Sequence, residues 1–378
     1  MKTFVTCTVV LCMAFSYATC TRDHQIPGAS TVSALRFIGE QIVPNRAQYN
    51  NTTLGGFSSI SYRPDNNQFY IMSDDAASLN PFVRFYTATL NYNQTAFAGV
   101  NFTGVTPLKN SNGTDFATSQ VDPEGLQFDA ATQRIIWSSE GIRNVAANPP
   151  VLIQPFIREA NLDGSYVADF TVPDLFRIQS TENGTRSNGS FEGLAMTPNH
   201  QFLFAASEEP LYEDGPRADV GVAGSPIRII KYNRQTRQPV AQYAYRLDAV
   251  HQNTTPAGQF RLNGVVDMIA LSETQLLVME RSFAVGATPD YVVKIYKVDL
   301  TNATNVAGVN ALQGASFMAA TKTLLLDVGT TGIQRVDNLE GMTFGPMLAN
   351  GNRSLVMVSD DNFGAAQISQ FLVFEVIP

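Results

Sequence analysis

Beyond residue 20 the chain has no cysteine; Cys7, Cys12 and Cys20 are its complete set. A fold built from the later residues has no disulfide to staple it, and a thiolate zinc site is excluded. Histidine is nearly as scarce, with only His24, His200 and His251. His24 sits near the amino terminus and His200 falls in turn composition, so a Ser–His–Asp hydrolase is disfavoured. No Gly-x-Ser-x-Gly elbow occurs. Gly56-Phe57-Ser58-Ser59-Ile60 lacks the last glycine and opens a strand rather than a helix, which makes Ser58 a poor nucleophile candidate. There is no phosphate-binding or dinucleotide glycine loop. No apolar run after the first twenty residues is long enough for a transmembrane helix. Lysine and arginine total 25 against 33 acidic residues, a net charge of −8, with no basic patch interleaved with aromatics. Nucleic acid is therefore not an expected partner. The single tryptophan, Trp137, reads as core.

The first twenty residues read as a secretory signal. Lys2 is the charged start, Phe4 to Phe15 is apolar, and Ser16-Tyr17-Ala18-Thr19-Cys20 offers small residues for cleavage. Residues 21–33 are a lead-in, and 34–378 read as one domain large enough to build a core without disulfides. Ten Asn-x-Ser/Thr sequons follow, at Asn50, Asn51, Asn93, Asn101, Asn112, Asn183, Asn188, Asn253, Asn302 and Asn352. Together with the signal they predict a secreted, extracellular glycoprotein.

One unit recurs along the chain. Asp122-Pro123-Glu124-Gly125-Leu126 leads to Ile136-Trp137-Ser138-Ser139-Glu140. Phe191-Glu192-Gly193-Leu194 leads to Ala206-Ser207-Glu208-Glu209, and Leu339-Glu340-Gly341-Met342 to Val358-Ser359-Asp360-Asp361. Two looser copies are Gly56-Phe57-Ser58-Ser59 with Ser73-Asp74-Asp75, and Val265-Val266-Asp267 with Met279-Glu280-Arg281. Glu124 and Glu140 are sixteen apart, as are Glu192 and Glu208. Their midpoints, Thr132 and His200, lie in turn composition, so each unit predicts a hairpin with its acidic residues paired at the open end.

The spacing of about seventy residues between units suits a four-stranded propeller blade with generous loops. Strands are expected at 59–62, 69–72, 83–90 and 97–104, then at 126–128, 134–138, 152–160 and 166–172. The third unit gives 194–196, 202–206, 227–232 and 240–247; the fourth gives 268–271, 276–279, 292–298 and 322–327. The fifth supplies only 342–344, 355–358 and 371–376. Its missing outer strand is available at Ala34-Leu35-Arg36-Phe37-Ile38-Gly39, so an amino-terminal strand closes the ring and removes open edges. The expectation is an all-β propeller of five blades. Six is the alternative if 307–317 hides another hairpin.

The repeats resemble the phytase-like family, or "esterase-like activity of phytase". The resemblance is carried by Gly55-Gly56-Phe57-Ser58, Ser73-Asp74-Asp75, Asp122-Pro123-Glu124-Gly125 and Phe191-Glu192-Gly193-Leu194-Ala195. It continues through Met279-Glu280-Arg281-Ser282-Phe283, Leu339-Glu340-Gly341-Met342-Thr343-Phe344-Gly345-Pro346 and Val358-Ser359-Asp360-Asp361-Asn362-Phe363. It covers essentially all of the chain after the signal. The family pattern usually has glycine where this chain has Ser59. The resemblance implies a β-propeller and hydrolysis of a phosphate or carboxylic ester.

If the hairpins are innermost, one end of the channel collects Asp74, Asp75, Asp122, Glu124, Glu140, Glu192, Glu208, Glu209, Asp267, Glu280, Glu340, Asp360 and Asp361. So many carboxylates cannot all ionise in a small opening without counter-charge, and calcium suits an all-oxygen ring. The sharp reading is a calcium-assisted ester or phosphoester hydrolase. In it Glu124, Glu192 and Glu340 with Arg281 do the chemistry, and Asp74, Asp75, Glu140, Glu208, Asp267, Glu280, Asp360 and Asp361 hold metal. Arg143 is a second, weaker candidate for pairing with substrate. The bland reading makes each Glu-Gly a joint between blades. A rival from another class is a non-catalytic extracellular propeller that binds a protein, glycan or ion, a reading favoured by the scarcity of lysine and histidine.

Overall fold

The computed structural model describes residues 31–378. The expected signal sequence and most of the lead-in, with all three cysteines and His24, lie outside the described residues.

Apolar runs fold here as strands buried on both faces, because neighbouring residues of one strand feed two different cores. Leu203 and Ala205 pack toward the second blade, whereas Phe204 and Ala206 pack toward the fourth. Leu355 and Met357 face the fourth blade, while Val356 and Val358 face the first. Ile136 and Trp137 divide in the same way. Such strands show no polar-outward alternation, which is why they read as continuous apolar runs. Each of the five main cores is thus a joint between successive blades rather than the interior of one.

Five four-stranded antiparallel sheets make the ring. Blade 1 comprises Ser59–Arg63, Gln68–Ser73, Arg84–Tyr92 and Phe97–Pro107. Blade 2 comprises Asp122–Asp129, Arg134–Glu140, Phe156–Asn161 and Tyr166–Asp169. Blade 3 comprises Phe191–Met196, Phe202–Ser207, Pro226–Asn233 and Pro239–Arg246. Blade 4 comprises Arg261–Ala270, Gln275–Ala284, Tyr291–Asp299 and Thr321–Asp327. Blade 5 has Leu339–Met347, Arg353–Ser359 and Ser369–Ile377, and its outer strand is Ala34–Val43. That amino-terminal strand pairs antiparallel with Ser369–Ile377, from Ala34 opposite Ile377 to Val43 opposite Ser369. The ring therefore closes as the sequence implies, and the six-blade alternative is set aside. Residues 307–317 form no strand. Val306 and Leu312 instead pack beneath Ala244.

The first strand of each blade is innermost, and these five strands touch one another around the axis. The approach needs glycine. A Cβ on Gly193 would stand 2.9 Å from the Asp267 Cα, and one on Gly341 would stand 2.8 Å from the Ser59 Cα. Ser59, where glycine would be usual, contributes a bond instead: its Oγ accepts the Leu126 N–H at 3.0 Å. Ser61 does the same for Phe128 at 2.9 Å. Asp267 joins blade 4 to blade 5 by accepting the Met342 N–H at 2.7 Å.

These joints explain one difference from the sequence reading. The hairpins do not pair Glu124 with Glu140 or Glu192 with Glu208. Asp122 stands opposite Glu140 and Phe191 opposite Ser207, and the register then shifts across Glu124-Gly125 and Glu192-Gly193. Similar shifts occur around Glu340 and Val266. Each is a β-bulge, and at Glu124-Gly125, Glu192-Gly193 and Glu340-Gly341 it lets glycine meet the next blade while the adjacent glutamate turns toward the axis. Symmetric counting from the turn cannot see an extra residue on one strand. We expect Gly193→Ala to destabilise the fold by about 1–3 kcal/mol, because the clash is with backbone. Urea unfolding checks this; an unchanged midpoint would show that the waist has slack.

Candidate functional site

A cavity of about 420 Å³ opens at the end of the ring where the inner strands begin. Its floor and sides carry Asp74, Asp122, Glu124, Glu192, Glu340 and Asp360. Glu208, Glu209, Arg217 and Arg281 complete the charged lining. Glu140 lies immediately behind. Carboxylate oxygens of Asp122, Glu124 and Glu140 fall within 4.8 Å of one another, and so do those of Glu140, Glu192 and Glu208. Glu140 is therefore common to two carboxylate triads. One of its oxygens accepts the Ser190 N–H, whereas Oε2 is buried and makes no hydrogen bond. Asp74 Oδ1 is likewise buried without a partner.

The remaining acids of the sequence-derived set are not brought to this cavity. Asp75 turns away and accepts from Ser78, Leu79, Asn80 and Arg84 at 2.7–2.9 Å. Glu280 accepts from Tyr245 OH at 2.6 Å, Asn263 at 2.7 Å and the Asp248 N–H at 3.0 Å, and also pairs with Lys322. Asp361 accepts the Gly56 N–H at 3.0 Å and the Phe363 N–H at 3.1 Å. Asp267 is the waist joint described above. Along the strand Gln275–Ala284 the period of two lets only one of Glu280 and Arg281 point to the axis, while Asp75 and Asp361, just past their strand ends, are captured by backbone N–H groups of the adjoining loops. Arg143 also lies elsewhere, donating to the carbonyls of Gln179 and Ser180 at 2.9 Å. Ser58 is buried, its Oγ 3.1 Å from the Glu124 carbonyl.

Arg281 is the cation at the centre. It donates to Glu208 at 2.6 Å and also binds Glu340 and Asn338, while its Nε is buried and unpartnered. Asn338 was not singled out from sequence. Its amide donates to Glu340 at 2.9 Å and to Asp360 at 3.2 Å, tying two carboxylates together. Asp337-Asn338 directly precedes the last Leu-Glu-Gly repeat, the one local signal that would have found it. An aromatic wall was missed as well. Phe283 and Tyr291 lie with ring centroids 4.7 Å apart, and Phe260, 54 % exposed, stands beside Phe283 at 6.2 Å.

The electrostatics follow from burial and crowding. Glu124, Glu140, Glu192, Asp74 and Asp360 all hold protons well above the ordinary carboxyl range, first because burial disfavours their charge and then because they repel one another. Burial lifts Asp122 to about 6. It lifts Glu340 to about 7 even though Arg281 opposes the shift. Asp75 behaves oppositely. Burial again works against its charge, but its donors and Arg84 overcome this and hold it at about 2.

All ten sequons are described. Each lies in a turn or loop except Asn101, which is on the outer strand of blade 1. Asn188 stands exposed at the rim of the acidic cavity.

The Phytase-like family, described as "Esterase-like activity of phytase", matches residues 52–363. No curated protein sequence matches the chain. Among solved structures, the luciferin-regenerating enzyme is similar at 10% identity and a TM-score of 0.39, over 89% of this chain and 94% of that one. A second, from Thermus thermophilus, is described as a "putative oxidoreductase (glucose dehydrogenase)" and is similar at 12% identity and a TM-score of 0.37, over 92% of this chain and 97% of that one. Similarities at this level say nothing about the chemistry of the site.

A carboxyl group that keeps its proton more firmly folded than unfolded stabilises the fold at low pH and loses that contribution as pH rises through its folded pKa. For Glu340 the window runs from 4.5 to about 7. In chelator, the melting temperature is expected to fall across that window. A flat or rising profile would contradict the crowding.

Proposed function

Since the chain belongs to the phytase-like family, we propose that it is a secreted, glycosylated propeller hydrolase that cleaves an ester at the acidic mouth with a bound calcium ion. The observation that carries this reading is Glu140, a fully buried carboxylate shared by two triads with one oxygen unfilled. An unfilled buried carboxylate oxygen amid other carboxylates is costly unless a proton or cation sits against it. The donors are all oxygens, with neither histidine nor cysteine among them. That set suits a hard cation such as calcium and not zinc. Bound there, calcium would neutralise the carboxylates, polarise the ester oxygen and lower the pKa of a water.

The chain's own groups supply the rest. Asp122, Glu124, Glu140, Glu192 and Glu208 would hold the ion. Glu340 borders the open cavity with its proton affinity raised to about 7, as a general base working near neutral pH requires. Arg281 is held between Glu208 and Glu340, so its guanidinium is fixed in direction before substrate arrives. Phe260, Phe283 and Tyr291 offer an apolar wall on one side. That wall favours an ester with an apolar or aromatic portion over a densely charged polyphosphate. The exposed Phe260 is also the feature that favours the second reading, a binding propeller whose mouth docks an extracellular protein or glycan.

Neutralising Glu192 and Glu340 as Gln separates the two readings. Hydrolysis of an aryl ester or aryl phosphate in calcium is expected to fall by about 10²-fold or more while the protein stays folded. Unchanged turnover in those variants, or no turnover by the wild-type protein, would favour the binder. Glu140→Gln is expected to raise the metal-free melting temperature, because it removes a repelled charge, and to abolish stabilisation by calcium. A lowered melting temperature would mean that Glu140 serves the fold and not an ion.

A further inference from the structure

The opposite end of the ring carries a second cavity, of about 560 Å³. It shares no lining residue with the acidic one, and the waist of touching inner strands lies between them. Its character is reversed. Every inner strand contributes, and the wall is largely apolar, with Phe128, Met196, Ile269, Ala270 and Phe344 among its members. No aspartate or glutamate lines it. Its volume falls within the range of about 300–1,000 Å³ common to small-molecule sites.

One side chain in this wall is out of place. Arg353 begins the second strand of blade 5 and turns into the cavity, over the Phe344 ring at 4.8 Å. Its Nε is buried without a partner. Among the described residues its guanidinium makes neither a salt bridge nor a hydrogen bond, unlike Arg84 and Arg228, which are each buried against an aspartate. Burial pushes the Arg353 guanidinium below its usual range. The ring face returns only part of what a guanidinium loses on leaving water. A half-buried cation at the wall of an apolar cavity, with no internal counter-ion, is matched by a ligand that brings the anion with it.

We propose that this cavity binds an amphipathic monoanion, specifically an aliphatic monocarboxylate, with its carboxylate on Arg353 and its chain in the apolar channel against Met196, Ala270 and Phe344. The two other titratable groups in the wall leave the anion unopposed. Tyr62 donates its hydroxyl to Asn67 at 3.0 Å. His200 shares a hydrogen bond with Asp129 through Nδ1 at 3.0 Å, and Asp129 is also paired with Arg234 at 2.8 Å, so that carboxylate is already neutralised away from the cavity. The site is independent of the acidic mouth and stands whether or not the mouth hydrolyses an ester.

Decanoate and decanol, kept below micelle formation, test the assignment by calorimetric titration into the full folded domain. Decanoate is expected to bind saturably at one site per chain. Arg353→Met is expected to weaken decanoate roughly tenfold or more and to leave decanol unchanged. Loss of a half-buried charge without a partner should also keep or raise the melting temperature of that variant. Ala131→Trp places bulk at an exposed position of the rim and should weaken both ligands, which keeps the test decisive if Arg353→Met fails to fold. Absence of saturable decanoate binding to the wild-type protein would overturn the proposal. Equal decanoate affinity in wild type and Arg353→Met would do the same.

Discussion

The closeness of the five inner strands at the waist governs the rest of the molecule. Backbone meets backbone at Gly193 and Gly341, and hydroxyl or carboxylate side chains bridge the gap at Ser59, Ser61 and Asp267. To reach that distance the strands bulge, and the bulge rotates the residue beside the glycine toward the axis. Glu124, Glu192 and Glu340 are those residues. The same local event that seals one blade to the next therefore places a carboxylate in the mouth. The joint reading and the chemical reading of Glu-Gly are not rivals; glycine makes the joint and glutamate is delivered by it.

Crowding then sets the chemistry. A ring this narrow brings carboxylates close against one another, and Arg281 reaches only Glu208 and Glu340. The excess negative charge can be relieved by protons at low pH or by a cation at higher pH. Where the acids could be satisfied internally they are: Asp75 and Glu280 have every oxygen filled. The contrast with Glu140 Oε2 and Asp74 Oδ1 marks the mouth as the part of the fold shaped by something other than stability.

The architecture was legible because it is periodic. Seventy-residue spacing, doubly buried strands and an unpaired strand at Ala34 together determine a closed ring of five blades. The site was legible in composition but not in detail. Sequence identifies that acids recur at strand ends, yet of the adjacent pairs Asp74-Asp75 and Asp360-Asp361 one member lines the mouth and the other is taken up by backbone N–H groups past the strand end, a choice that no residue pattern marks. Asn338 and the wall of Phe260, Phe283 and Tyr291 carry no acidic mark; Phe283 and Tyr291 meet only because the second and third strands of blade 4 pair there. Arg353 is invisible for a related reason: its isolation depends on the absence of acids from strands distant in sequence.

The most direct test of the central claim, that the mouth carboxylates compete between protons and a cation, is the number of protons released when calcium is added to chelator-stripped protein in weak buffer. Binding to carboxylates that are still partly protonated must displace protons. The release should be measurable at pH 6 to 7, where Asp122 and Glu340 titrate. Calcium binding without proton release in that range, or no calcium binding at all, would contradict the account.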